Sequence, residues 1–458
     1  MPQCNFIYKN GEKCEITAVL KDGDPCVLHR ENKTLEKFRD VFWSQFIFQR
    51  EKDARLKTIS CEGFFFPPGF RLERTPKKCI EFIDSTFGED SNFSNLDFEF
   101  GPFFESCAFL GDLNFHNVKT GGHFIFENIK RVEGDVMFTF CNFKGLAEFN
   151  TCLLSKGARF SRCEVAESES FEFKNIKSMK DIVFVDCSFP GSVRISNVDV
   201  PAGASVVFER INLERSQNFL LSNVDIARVQ FVDTNLEKVD FENCNWPTKF
   251  DRVVFSDEAS VGLNQMDNEK LDRTIRNYRM LKHNFDKKSK VELASDMYIG
   301  EMDARREKIA RSKWGNPFIK NFYRDFFSLL ALYRRISFYG ERYRKAMSAY
   351  LLVLFIFPMF YLLNGFAGEA NSSLSKQAYS FDSVNYDIKL DNLSTVADKA
   401  FWQDWLKALR ISFAASTLQK NEHYKLRGLG PEIFVVQNAI SASIIALFLL
   451  ALRRKFKR

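Results

Sequence analysis

"FIDSTFGEDSNFSNLDFEFGPFFESCAFLGDLNF", residues 82–115, repeats one side chain at an unusual interval. Phenylalanine stands at Phe82, Phe87, Phe93, Phe98, Phe104, Phe109 and Phe115, in steps that alternate five and six. The beat returns at Phe138, Phe143, Phe149, Leu154, Phe160, Val165, Phe171 and Ile176. After two longer insertions it settles to steps of five: Leu221, Ile226, Phe231, Leu236, Phe241 and Trp246. A helix repeats every 3.6 residues and a strand every two, so neither produces this interval. One large apolar side chain per face of a coil does, each face being a short strand and a turn. Four faces make a turn of roughly 20–22 residues, and turns stack about 4.8 Å apart by backbone hydrogen bonds. Roughly eight turns between Phe82 and Phe255 predict a rod on the order of 40 Å long. Such a fold also accounts for 51 Phe in 458 residues, more than one in ten.

Two residues before the beat lies a second inward position, filled by small or medium side chains. Cys107, Cys141, Cys152, Cys163, Cys187 and Cys244 occupy it, with Ser85, Thr234 and Val239 elsewhere. These six cysteines read as buried packing residues in a ladder. "TNLEK" (234–238) and "VDFENCNW" (239–246), with the looser six-step "FSRCEV" (160–165), resemble the pentapeptide-repeat family, whose motif is a small residue, Asp or Asn, then Leu or Phe, and two variable residues. The resemblance covers 79–256. It implies a right-handed quadrilateral β-helix serving as a binding surface or scaffold, not an enzyme. Some members bind a DNA-handling enzyme by imitating duplex charge. Residues 79–256 hold 27 Asp and Glu against 17 Lys and Arg, a balance of −10 that permits such mimicry. Nucleic acid itself is not an expected partner of so acidic a body.

The whole chain is nevertheless +6, because its far end is basic. Residues 311–345 carry nine Lys or Arg against two acids, and "RRKFKR" (453–458) adds five positive charges. These basic segments flank two uncharged stretches, 346–368 and 433–452, of 23 and 20 residues. About 20 apolar residues cross a hydrocarbon core. Arg342, Arg344 and Lys345 before the first, and Arg453, Arg454 and Lys455 after the second, place both termini in the cytosol by the positive-inside rule. Trp314, Arg334 and Arg335 lie in an aromatic and basic stretch, 314–335, expected at the headgroup level of the membrane. A buried globular helix is the other reading of that stretch. "MPQCNFIYKNGEKCEITAVL" (1–20) has no continuous apolar core, so no signal peptide is expected. All 11 cysteines precede residue 245, in a domain assigned to a reducing compartment, so thiols or metal ligands are expected rather than disulfides.

Cys4, Cys14, Cys26 and His29 offer three thiolates and an imidazole, a set that suits tetrahedral Zn²⁺. A closed site of this kind is structural, stabilising a segment too short for its own core. The alternative is a small cap with free thiols. Further on, Leu271, Ile275, Tyr278, Leu281 and Phe285 form one apolar stripe, and Ala294, Met297, Tyr298 and Met302 another after a break near Lys288–Lys290. This predicts a helical hairpin over the open end of the solenoid. The boundaries are a cap at 1–50, a linker at 51–78, the β-helix at 79–256, a helical connector at 257–312 and a basic interfacial stretch at 313–345. They continue with a first span at 346–368, an extracytoplasmic segment at 369–400, a pore helix and loop at 401–432, a second span at 433–452 and a tail at 453–458.

Between the spans, "FWQDWLKALRISFAASTL" (401–418) is an amphipathic helix followed by a polar loop. The order span, helix, loop, span resembles the two-transmembrane pore module of tetrameric cation channels, and "SFAASTL" (412–418) resembles its pore helix. The K⁺ filter sequence Thr-Val-Gly-Tyr-Gly is replaced by "QKNEHYKLRGLG" (419–430), so a carbonyl filter for K⁺ is not expected. Ser412, Ser416, Thr417, Gln437, Asn438 and Ser441 are the candidate pore-lining residues; for Gln437, Asn438 and Ser441 a helix–helix surface is the alternative, and for 411–430 a surface helix outside the bilayer. Pro358 is expected to kink the first span. The expected protein is thus a bacterial inner-membrane homo-oligomer, favoured as a tetramer because two spans cannot enclose a conduit. Its cytosolic solenoid would dock an unidentified trigger and gate the membrane part, as in a stress or phage-defence effector. The rival is a membrane-tethered scaffold that conducts nothing. No Walker loop, G-x-S-x-G or H-E-x-x-H motif is present, and no enzyme is expected.

Overall fold

The computed structural model describes residues 4–9, 11–15, 25–31, 33–313, 317–323, 325, 328–368, 399–420 and 424–457. The chain forms two compact units, Met1–Glu301 and Met302–Arg458.

The first unit is a parallel β-solenoid of about eight turns. Its strands form a 13-stranded, a seven-stranded and a four-stranded sheet, all parallel. Register keeps like over like: Phe115 pairs with Phe138, Phe138 with Phe160, Phe160 with Phe184, and Phe184 with Phe208. From Phe93 through Phe115, Phe138, Phe160, Phe184 and Phe208 to Phe231, successive rings stack with centroids 4.5–5.2 Å apart and planes within 20° of parallel. Every ring in this column is buried. The beat in the sequence is therefore the rise of the coil, written in one residue type.

The second inward position is a ladder of thiols and hydroxyls. Each side chain donates to the backbone carbonyl of the beat residue one coil earlier: Cys107 to Phe82 (3.2 Å), Cys163 to Phe138 (3.5 Å), Cys187 to Phe160 (3.4 Å) and Thr234 to Phe208 (3.2 Å). A weak sulfur donor is enough for a carbonyl that already serves the parallel ladder. Two corners of the coil require a left-handed backbone. Asp84, Ser106, Asn128, Thr151, Asn175, Asn197, Asn223 and Asn243 occupy one of them, with φ of 48–56°. Asn and Asp dominate because their short polar side chains tolerate this conformation best. Asn175 donates to Asn150 at 3.0 Å and Asn197 to Asn175 at 2.9 Å, so the corner carries its own side-chain ladder.

The solenoid starts earlier than residue 79. Thr58–Glu62 pairs in register with Cys79–Ile83, making the expected linker the first coil. Helix α1 (Leu35–Asp40), a π-helical segment (Val41–Ile47) and α2 (Phe48–Lys52) lead into it. Phe38, Phe42 and Phe46, one turn apart, close the open end against Phe66, Phe70 and Phe64 at centroid distances of 5.2, 5.9 and 4.8 Å. At the other end lie α3 (Ser256–Ser260), α4 (Asn268–Lys287) and α5 (Val291–Lys313). An exposed coil edge would leave carbonyls unpaired and invite pairing with other chains. Helix α4 and the turn after it cover it: Asn277 donates to Phe231 O (3.1 Å), Asn284 to Leu236 O and Val239 O (2.6 Å each), and Lys290 of the turn to Phe241 O (3.0 Å). Asn284→Ala is expected to cost about 1–3 kcal/mol, the net worth of two hydrogen bonds, with Leu236 O keeping Val239 N–H and Val239 O keeping Lys288. Hydrogen exchange of the full chain checks this, with faster exchange at residues 236–242 as the expected signature.

The second unit contains α6 (Pro317–Phe322), α7 (Leu329–Ser337), α8 (Tyr343–Asn364), α9 (Lys399–Ser416) and α10 (Gly430–Lys457). The expected single interfacial helix at 314–335 is two short helices among the described residues. By length and composition α8 and α10 are each apolar enough to cross a membrane. Most of their surface faces outward, as with Leu352, Leu363, Val435 and Leu449. Pro358 lies inside α8. Having no N–H, it leaves the carbonyl four residues back, that of Leu354, without its helical partner. Ser412 of α9 donates its hydroxyl to that carbonyl at 2.9 Å.

Candidate functional site

The first site is built at the corner where the chain enters the solenoid. A short hairpin, with Ile7 bridged to Lys13 and Cys14 N–H bonded to Phe6 O, brings Cys14 back beside Cys4. The turn from Cys26 to His29 adds the other two ligands, with His29 N–H on Cys26 O. The four candidate ligand atoms all lie within 4.8 Å of one another, and the three cysteines are buried. Cys14 Sγ is 3.9 Å from Cys26 Sγ, and His29 Nδ1 is 3.7 Å from Cys4 Sγ and 3.1 Å from Cys26 Sγ. Tetrahedral Zn–S bonds of about 2.3 Å would put sulfurs about 3.8 Å apart. Glu62 O accepts a hydrogen bond from His29 Nε2 at 3.1 Å, and Nδ1 is turned toward the thiols, where the neutral imidazole offers a lone pair to a metal ion. Phe6 stacks on the imidazole at 3.9 Å and fixes its plane. Cys26 N–H points at Cys4 Sγ (3.1 Å), a donor suited to a thiolate. The cluster could hold a metal ion.

Without a metal this packing is unfavourable for ionised sulfur. The hydrogen bond with Cys14 and burial both push the Cys26 thiol above its ordinary range. Lys33, which the sequence reading passed over, donates to Leu28 O (3.0 Å) and Val27 O on the back of the same turn. Burial pulls its ammonium down to about 7, while the nearby Cys26 acts the other way. Its only sequence signal is an isolated lysine between the turn and α1.

The second site is the junction of α8, α9 and α10. Ala408 and Ile411 of α9 pack with Tyr361, Leu362 and Phe366 at the C-terminal end of α8. The other end of α9 reaches back along α8: Ser412 meets Leu354, and Tyr350 donates to Ser416 O at 3.2 Å. Leu354 stands near the middle of α8. The chain then returns. Tyr424–Leu426 pairs antiparallel with Phe366–Gly368, and Arg427 N–H bonds Gly365 O at 3.1 Å. Helix α9 and the strand after it therefore form a hairpin whose turn begins roughly 16 Å, eleven helical residues, from the end where the hairpin enters and leaves.

A buried polar network ties the three helices together. Tyr361 donates to Gln437 Oε1 at 2.7 Å. Gln437 Nε2 donates to Ser412 Oγ (2.7 Å), Ser416 Oγ (2.9 Å) and Ser412 O (3.0 Å), and Ser441 Oγ lies 3.4 Å from Ser416 Oγ. Of the six residues expected to line a pore, Ser412, Ser416, Gln437 and Ser441 are thus buried where helices of one protomer meet. Thr417 and Asn438 are half-exposed, and Thr417 bonds back to Phe413 O at 2.8 Å. Tyr361 was missed, since a tyrosine in an apolar span carries no periodic signal.

Among the expected interface residues, Trp314 lies outside the described residues. Arg334, Arg342 and Lys345 gather over the ring of Phe338 at 5.5, 4.9 and 3.9 Å. Phe338, Tyr339 and Gly340 are consecutive left-handed residues, held by Tyr339 Oη donating to Asp303 at 2.7 Å and by the Arg334–Asp303 ion pair at 2.9 Å. Arg335, Arg344 and Arg453 are exposed, and Arg454 and Lys455 belong to the last turns of α10. Comparison of the chain with family models, curated proteins and solved structures finds no match.

Proposed function

We propose that the protein is a homo-oligomeric, channel-like membrane protein whose solenoid is a cytosolic docking arm. The observation that carries this reading is the hairpin of α9. If α8 and α10 span a bilayer, the turn at Thr417–Lys420 begins at mid-depth. Leu418 there has a φ of 61°, and Gln419 and Lys420 are exposed. Non-helical polar backbone at that depth is tolerated only against protein or along a wet path. One copy cannot surround such a path, so several copies, four in the preferred arrangement, would place their hairpins around a shared axis. The basic ends of α8 and α10 fit both termini in the cytosol of a bacterial inner membrane. A bound partner at the solenoid would then bias the membrane part, as a stress or defence effector requires.

The solenoid fits a right-handed, four-sided pentapeptide-repeat helix, given its recurring left-handed corners and in-register stacking. Zn²⁺ is the ion best suited to three thiolates and one imidazole, in a structural role. The inward turn of the Gln437 network favours the rival, a sealed and tethered scaffold. Ion flux through the purified full chain in liposomes separates the two. Flux above that of protein-free vesicles is expected. Silence of an intact oligomer across voltages and in cell extract would leave the scaffold.

A further inference from the structure

Helix α9 divides into three stripes. Asp404, Ala408, Ile411 and Ala415 are buried against the other helices. Trp402, Leu406 and Phe413 are exposed and apolar. Gln403, Lys407, Arg410 and Thr417 share a third face at helical spacing, and the first three are exposed. Arg410 sits two residues before Ser412, the residue bonded to the middle of α8. An arginine at that depth is costly against lipid and points to water or a protein neighbour. The hairpin continues with exposed Lys420, and then Lys425 and Arg427 on its way out. Among the described residues acidic groups do not offset them: Asp404 is buried and held by Lys407 at 2.7 Å, and Glu432 stands at the start of α10, away from the turn. Glu422, two residues after Lys420, lies outside the described residues and is a single charge against the four cations.

We propose that the conduit selects small inorganic anions, with Arg410 and Lys420 as the residues that determine selectivity. The inference rests on the conduit reading and adds its substrate class. One effect opposes it. The C-terminus of α9 points into the turn and carries about half a negative charge from its aligned peptide dipoles. Arg410, Lys420, Lys425 and Arg427 bring four positive charges per copy against that half charge and Glu422, so the sum stays positive. Repeated around an axis and walled by low-dielectric protein, such rings concentrate anions and repel cations. Lys420 alone could merely neutralise the helix end. Arg410 lies two turns back along α9 and has no such role.

The test is the current carried by the full-length protein in planar bilayers under a KCl gradient. The wild type is expected to reverse on the chloride side of zero. Arg410→Gln with Lys420→Gln is expected to move the reversal potential toward zero while conductance persists, and Lys420→Glu is expected to move it toward the potassium side. Both positions are exposed, and matching elution and melting profiles would show that the variants are folded. Wild-type reversal on the potassium side would overturn this inference and leave the conduit standing, as would chloride-side reversal that all three substitutions leave in place. Absence of current under every condition would overturn the conduit and the inference together.

Discussion

Removing metal from Cys4, Cys14, Cys26 and His29 is expected to unfold the N-terminal hairpin and bare the first edge of the solenoid. Among the described residues the segment before α1 has a small core, chiefly Phe6, Tyr8 and Leu28 set against Phe64 and the cysteines. Metal–thiolate bonds in such knuckles supply on the order of 10 kcal/mol, far more than the packing of one hairpin. The hairpin and turn also serve the edge of the first coil: Leu28 O accepts from Phe65 N–H and Glu62 O accepts from His29. Loss of the ion should therefore speed hydrogen exchange at residues 58–66 and promote self-association, read by exchange and by light scattering of the intact protein. Cys26→Ser should behave alike, with elemental analysis falling from one zinc per chain to none. A metal-free wild type with unchanged exchange would show that the thiols alone hold the cap. The pH dependence has a fixed sign. Thiol ligands bind the ion deprotonated, and the Cys26 thiol is held above its ordinary range in the metal-free site. The stabilisation is thus present at neutral and alkaline pH and is lost as pH falls and protons displace the metal.

The second large effect is expected at Gln437. Gln437→Leu removes the acceptor of Tyr361 and the shared donor of Ser412 and Ser416. Leaving those hydroxyls buried without their partner should cost on the order of 2–3 kcal/mol. Helix α9 should loosen first, because its Ser412 also satisfies the Leu354 carbonyl freed by Pro358. Thermal unfolding in detergent and protease access at 417–430 measure this. Gln437→Glu with its carboxyl protonated keeps an acceptor for Tyr361 and one of the two donors, so below neutral pH it should fall between wild type and Leu. Ser443→Ala, on the exposed side of α10 and bonded only back to Ala439 O, should change the midpoint little.

The solenoid was legible because its core repeats one residue type at one interval. Its start was not. The first coil carries Phe64, Phe66 and Phe70 around Pro67, Pro68 and Gly69, and the tight turn there breaks the step of five. The left-handed corners fall on Asn or Asp in most coils, as at Asn128, Asn175 and Asn197, with Ser106 and Thr151 as exceptions. These corner residues are polar, so the apolar rhythm does not mark them. The gathering of Cys4, Cys14, Cys26 and His29 followed from residue type, since three Cys and a His within thirty residues make a ligand set that could hold a metal ion. For Gln437 and Ser441 the sequence supplied a face and not its partner. Helical period says which residues point the same way, and only the packing of α9 shows that they point inward. The match between Ser412 and the carbonyl freed by Pro358 joins two different helices, so no local pattern could reveal it.

Because successive coils are near-copies closed by unlike ends, the reach of the rod is an adjustable quantity. A whole coil of about 22 residues can be gained or lost at a change of about 4.8 Å, with the aromatic column still in phase. A fraction of a coil would instead rotate every later corner out of line with the one beneath it. Spacing in this architecture comes in fixed increments, and descent by duplication can lengthen the arm without redesigning either terminus.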